Sequence, residues 1–256
     1  MREGRFTFGG RQYRLDPNTP EGHHLHGLVF DRPWNVDEAA GKAEGAVLRS
    51  NFTAADFPAV LRRYPFPFTL AVTYTLAGNT LGCTAEVRNL GGEPMPMGFG
   101  LHPFLRAPLA ADGTRGDCLV EVPARFIWEL DAERLPTGRQ VLTPPPLDFS
   151  LARPLGSAPL DDVYSELARD ADGLATCRLV DPRAGAAVAL CFGPEFPHLA
   201  AFAPDGRNAV CLEPYTCVTD AINLAPWLTG TGLVTLAPGE TWRGNVRLEV
   251  SEIAGI

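Results

Sequence analysis

Phe68-Thr69-Leu70-Ala71-Val72-Thr73-Tyr74-Thr75-Leu76-Ala77-Gly78-Asn79-Thr80-Leu81-Gly82-Cys83-Thr84-Ala85-Glu86-Val87-Arg88 is the stretch that decides the fold class. Phe68, Leu70, Val72, Tyr74 and Leu76 alternate with Thr69, Ala71, Thr73 and Thr75, a period of two rich in β-branched and aromatic residues. Ala77-Gly78-Asn79-Thr80 supplies turn residues. Leu81, Cys83, Ala85 and Val87 then resume the alternation, with Thr84, Glu86 and Arg88 opposite. The pattern predicts a β-hairpin with one buried face.

Outward from this hairpin, short strand signals recur. They fall at Arg5–Phe8 with Arg11–Leu15, Gly45–Asn51, Cys118–Val122, Ala175–Val180 with Ala186–Phe192, Leu199–Ala203, Val210–Leu212, Gly232–Leu236 and Val246–Val250. Pro (24) and Gly (26) cut the chain into pieces that suit strands better than long helices. A short helix is expected around Ala54–Arg62. No repeat, low-complexity segment or linker interrupts the chain, so residues 1–256 are expected to form a single all-β domain, a sandwich or barrel.

Composition narrows the partners. The chain has 256 residues, 45% of them hydrophobic, and a formal net charge of −8. That is enough to bury a large core, and with no basic stripe it argues against nucleic acid or an anionic membrane as partner. A neutral small molecule fits better. No apolar run approaches the ~18 residues of a membrane span. The opening Met1-Arg2-Glu3-Gly4-Arg5-Phe6 contains no apolar leader, which points to the cytoplasm. The six cysteines form no C-x-x-C pair and read as reduced, buried thiols.

Four segments combine reactive side chains with turn or aromatic residues. They are Gly22-His23-His24-Leu25-His26-Gly27 with Asp31-Arg32-Pro33-Trp34; Gly98-Phe99-Gly100-Leu101-His102-Pro103-Phe104; Pro159-Leu160-Asp161-Asp162-Val163-Tyr164; and Cys211-Leu212-Glu213-Pro214-Tyr215 with Asp220-Ala221-Ile222-Asn223. Singly, each has an ordinary structural explanation. Glu213 is the least ordinary, because a carboxylate at the end of an apolar strand is costly unless it is paired or faces a polar pocket.

Together, in this order, the four segments resemble the aldose 1-epimerase (galactose mutarotase-like) family. Leu25-His26-Gly27 is similar to its first histidine motif and Gly100-Leu101-His102-Pro103-Phe104 to its second. Asp161-Asp162-Val163-Tyr164 is similar to its Asp-x-x-aromatic segment, and Cys211-Leu212-Glu213-Pro214 to its glutamate motif. The resemblance implies a large antiparallel β-sandwich with a sugar cleft on one sheet. It implies an isomerase that interconverts the α and β anomers of a free aldohexose, with Glu213 as base and His102 as acid. His26 and Asp161 would bind the sugar, no cofactor or metal would be required, and Trp34, Phe104, Tyr164 and Trp227 are candidate platforms for its C–H face.

The resemblance also sets expectations that test its limits. His102 and Glu213 should face each other across a gap wide enough for a pyranose, without a direct hydrogen bond. A nearby carboxylate should raise the pKa of His102. In related members a segment like Arg2–Phe6 follows an Asn-Arg pair and several strands, so the family's substrate-binding arginine has no match here and the first strands of the sandwich are expected to be missing. Arg2, Arg5 and Arg32 are the nearest replacements in sequence. The strand near Arg5–Phe8 should then lie at an exposed sheet edge or pair with a second copy in a homodimer. Two other readings stay open: a carbohydrate-binding sandwich without turnover, and a cupin-like metal site using His24 and His26 of the H-x-H with His102 and Glu213.

Overall fold

The computed structural model describes residues 1–156 and 159–253. Two large antiparallel sheets dominate. One has nine strands, in the order Arg153–Pro154, Leu119–Glu121, Ala175–Asp181, Ala186–Phe192, Thr241–Glu252, Thr80–Asn89, Phe68–Ala77, Gly45–Thr53 and Asn35–Lys42. The other has six: Pro136–Leu142, Ala124–Leu130, Leu160–Leu167, His198–Ala203, Ala209–Tyr215 and Phe104–Arg106. No helix among the described residues is long and apolar enough to cross a membrane.

The hairpin that decides the fold class forms, but its buried face ends short of the turn, where Tyr74, Leu76 and Leu81 are exposed. Ala77 pairs with Thr80, leaving Gly78 and Asn79 as a two-residue turn. Gly78 has φ +56, a left-handed value that glycine takes without a Cβ penalty at the first turn position. Phe68, Leu70, Val72, Cys83, Ala85 and Val87 are buried in one core cluster.

A second cluster fills the space between the sheets. Ile127, Tyr164, Leu199, Ala201, Val210 and Leu212 reach it from the six-stranded sheet, and Val120, Leu179, Leu190 and Val246 from the nine-stranded one. Because side chains alternate, the residues between these point away from the core. That outer face carries Asp161, Phe202, Cys211, Glu213 and Tyr215. Part of it is roofed by the segment around the helix Ala221–Leu224, where Trp128, Val163, Val218, Ala221 and Leu224 form a third cluster.

Two expectations change. Arg5–Phe8 pairs with Arg11–Arg14 in a separate two-stranded sheet, and Phe6, 3% exposed, stacks on Tyr13 at 4.9 Å. Burying those rings seats the hairpin over Phe66 rather than on a large sheet's rim. The helix expected at Ala54–Arg62 divides into a 3₁₀ turn, Ala54–Asp56, and an α-helix, Pro58–Arg63. Pro58 disfavours helical geometry at Phe57, which sits at φ −124, ψ 82. All six cysteines are free thiols, five of them buried.

Candidate functional site

The outer face of the six-stranded sheet gathers the reactive residues. Cys211, Glu213 and Tyr215 alternate along Ala209–Tyr215, and the register sets Cys211 beside Phe104 and Phe202, with Asp161 beside Phe202 one strand further on. Glu213 is 2% exposed. It is not left unpaired: Oε1 lies 3.2 Å from His102 Nδ1, and Oε2 accepts a short hydrogen bond from the Tyr215 hydroxyl. The expectation of an open gap between His102 and Glu213 is therefore overturned. A carboxyl taken out of water recruits the available donors, and both are within reach.

His102 is seated by the segment before it. Thr216 N–H donates to the Phe99 carbonyl at 2.9 Å, Phe99 N–H to Thr216 Oγ1 at 2.8 Å, and Leu101 N–H to the Pro214 carbonyl at 3.3 Å. Gly98 and Gly100 permit this closeness. A Cβ at Gly98 would stand 2.4 Å from Cys217 Sγ, and one at Gly100 2.5 Å from the Tyr215 ring. The His102 ring stacks on Phe104, centroids 5.0 Å apart at 7°, with Phe202 edge-on at 6.2 Å. Phe104 is 60% exposed, so an aromatic face is open beside the His102–Glu213 pair.

His26 reaches the site from a loop. Its ring is 5.5 Å from that of His102, nearly perpendicular. His26 has φ +63, a strained conformation for a histidine, held because the loop is tied on both sides. Asn18 exchanges two hydrogen bonds with the Leu25 backbone, and both His24 ring nitrogens lie against backbone carbonyls, those of Asp16 at 2.7 Å and Gly27 at 2.9 Å. His24 is thus a loop tie. The set of His24, His26, His102 and Glu213 as metal ligands does not form.

Asp161 is exposed and pairs with Arg134 Nε at 3.2 Å. Two residues expected on the cleft lie elsewhere. Tyr164 is fully buried between the sheets, its hydroxyl donating to the Leu147 carbonyl at 2.8 Å. Trp34 packs against Phe52 in the other core cluster, its indole N–H donating to the Val29 carbonyl at 3.1 Å. Tyr164 is sealed in the core with a satisfied hydroxyl and cannot meet a ligand, whereas Trp34, held by apolar packing and a satisfied indole N–H, stays partly exposed. Trp227, 63% exposed, lines a separate groove of about 490 Å³ with Arg2, Asp131, Asp220 and Asn223. Arg2 is tied to Asp131 and Glu133, Arg5 to Glu3, and Arg32 to the Leu28 carbonyl.

The electrostatics follow from burial. Desolvation pushes Glu213 up to about 7, the Tyr215 hydrogen bond works against that, and the Asp161 charge adds to it. His102 is held below the usual histidine value, first by desolvation and then by His26. That reverses the expected direction for His102: removal from water sets it, and His26 adds to the lowering. His26 is lowered too, by desolvation and then by His24. A carboxyl that holds its proton late and an imidazole that gives it up early, 3.2 Å apart, suit an exchange of one proton near neutrality.

The sequence reading passed over Tyr215, Phe202 and Arg134 as parts of this site. Tyr215 was accessible from strand periodicity, since i and i+2 from Glu213 share a face. Phe202 and Arg134 come from other strands and loops and carry no local signal.

Residues 1–249 match the aldose 1-epimerase family. Among relatives, the Escherichia coli protein YihR is 24% identical over 223 residues, which are 86% of this chain and 67% of that protein. Among solved structures, a galactose mutarotase-like protein from Clostridium acetobutylicum superposes with a TM-score of 0.90 at 22% identity, covering 98% of this chain and 76% of that one. An aldose epimerase homologue from C. elegans superposes at 0.78 with 19% identity, covering 99% and 80%. At such identities the structural likeness is a likeness of fold.

Proposed function

The chain belongs to the aldose 1-epimerase family, and on that premise we propose that it interconverts the α and β anomers of a free aldose by opening and reclosing the hemiacetal ring. The observation that carries this reading is the contact between a buried carboxyl poised near neutral pH and a partly exposed imidazole. Glu213 takes the proton of the anomeric hydroxyl while His102 gives one to the ring oxygen. The C1–O5 bond breaks, its electron pair stays on O5, and C1 becomes a carbonyl. Rotation about C1–C2 presents the other carbonyl face, and the two residues reverse roles for closure.

The two oxygens served are bonded to the same carbon, so acid and base need be only a few ångström apart. A pyranose-wide gap is not required. The sugar's C–H face rests on Phe104, and His26 and Asp161 meet its oxygens. Polarimetry on freshly dissolved α-glucose, α-galactose and α-mannose tests the reading. Faster approach to equilibrium for at least one is expected, and no acceleration of any aldose would overturn it.

The pair is active with one proton between its two members. With none there is no acid, and with two there is no base. The free-enzyme profile, kcat/KM against pH, should therefore be bell-shaped, falling on the alkaline side as the pair loses its last proton through about pH 7. The acid limb should lie below the ordinary histidine value, because His102 is shifted down. A profile flat from pH 5 to 9 would refute the pair.

Tyr215→Phe tests the same pair more finely. The hydroxyl stabilises the ionised form of Glu213. Hydrogen bonds to charged groups contribute roughly 1.5–3 kcal/mol, equivalent to about one pH unit or more. The alkaline limb should move up by about that much, with a lower maximum. An unmoved limb would show that Tyr215 only packs.

A further inference from the structure

We propose that the cleft also binds one soft divalent cation, Zn²⁺ fitting best, on His102, Cys211 and Glu213, and that this cation shuts the acid–base pair off. A nitrogen of His102, the sulfur of Cys211 and an oxygen of Glu213 all lie within 4.8 Å of one another. The sulfur is fully buried, on the same strand and the same face as Glu213, and no hydrogen bond among the described residues occupies it. Nothing in the acid–base chemistry uses it.

The donor set decides the class of ion. Thiolate and imidazole select Zn²⁺ and its soft analogues over Mg²⁺ or Ca²⁺, which prefer all-oxygen sites. Three protein ligands with a fourth position left to water is the pattern of an open zinc site. Ligands at zinc distances of about 2.0–2.3 Å stand about 3.3–3.8 Å from one another around a tetrahedral ion. The His102–Glu213 contact, 3.2 Å, is already close to that spacing, so the sulfur has the main adjustment to make. Cys211 has only its χ1 to turn for this.

The proton balance is simple. The thiol proton and the proton shared by His102 and Glu213 both leave to solvent as the three groups bond the metal, and no electron moves. Because the metal displaces protons from its ligands, binding should tighten as pH rises. Two positive charges enter a buried pocket holding a thiolate and a carboxylate, which neutralises the pair. The bound ion occupies the lone pairs that Glu213 and His102 would use on the sugar. Inhibition rests on the acid–base reading above; binding does not.

The test uses the full chain, first freed of metal with a chelator. Cd²⁺ is titrated while the ultraviolet thiolate-to-metal charge-transfer band is followed, and Zn²⁺ is titrated in the polarimetric assay. A band saturating at one ion per chain, with parallel loss of activity, is expected. Cys211→Ser and Cys211→Ala, each checked for fold by circular dichroism, should keep their activity in chelator and lose the band. Losing even an outer-shell partner weakens a metal site roughly 10–100-fold, so inhibition by Zn²⁺ should shift by at least about tenfold. No band at one equivalent in the wild type, or the same band and inhibition in both variants, would overturn the site. If no aldose is turned over, the Cd²⁺ band still decides the binding, and the functional reading fails separately.

Discussion

Glu213→Gln is expected to lose activity by on the order of 10² or more while the folded protein becomes more stable at alkaline pH. The amide keeps the shape, accepts from the Tyr215 hydroxyl and can donate to neutral His102, but it cannot take a proton. The stability gain follows from linkage. Glu213 is 2% exposed and titrates near 7 in the folded chain, against 4.5 for an ordinary glutamate. Between those values the unfolded chain releases a proton that the folded chain retains, so the wild type loses stability as pH rises through that window. The total is on the order of 3 kcal/mol, reached above pH 7. Glutamine does not titrate, so the variant should gain on the wild type across the window. Thermal unfolding at pH 5 and pH 8 with polarimetry on the same samples gives both readouts. Near-wild-type activity would remove Glu213 from the chemistry, and a variant whose stability tracks the wild type at both pH values would show that its carboxyl is not held neutral by burial.

Particular residues show what periodicity reaches. The Phe68–Val87 alternation was legible because one face of that hairpin is buried and the other wet. Ala124–Leu130 was not: Ile127 faces the inter-sheet core and Trp128 lies under the roof of the third cluster, so both faces are covered and alternation disappears. Leu160–Leu167 carried no strand signal for a different reason, since Asp161, Asp162 and Glu166 break the apolar alternation. Asp161 and Tyr164 are an odd number of residues apart, so they cannot share a face, and Tyr164 belongs to the core. The resemblance pointed to His26, His102 and Glu213, which the fold gathers on one face, but not to their contact. That depends on Tyr215 and on how closely residues 98–101 lie to residues 214–216, which no local pattern encodes.

That close approach makes Gly100→Ala the sharpest structural test. Gly100 forms a β-bridge with Tyr215 and does not need a left-handed backbone, so alanine meets no conformational penalty. What it meets is the ring: the new Cβ would stand 2.5 and 2.7 Å from two Tyr215 ring carbons. Either Tyr215 swings off Glu213, or residues 98–101 lift and carry His102 with them. Both outcomes take a partner from the carboxyl. Overpacking of this kind costs about 1–3 kcal/mol of stability. The activity loss should be larger, roughly 10²-fold, because misplacing a catalytic group by about 1 Å is enough for that. Gly92→Ala, whose Cβ would meet nothing within 4 Å, is the control and should change neither quantity. The cause is isolated in a Tyr215→Ala background, where no ring remains to collide with. There Gly100→Ala should cost less than about threefold further, a strong coupling between neighbours. Loss of the same factor in both backgrounds would place the defect outside the Tyr215 contact, and full activity in Gly100→Ala alone would mean that the seating of His102 against Glu213 does not limit the reaction.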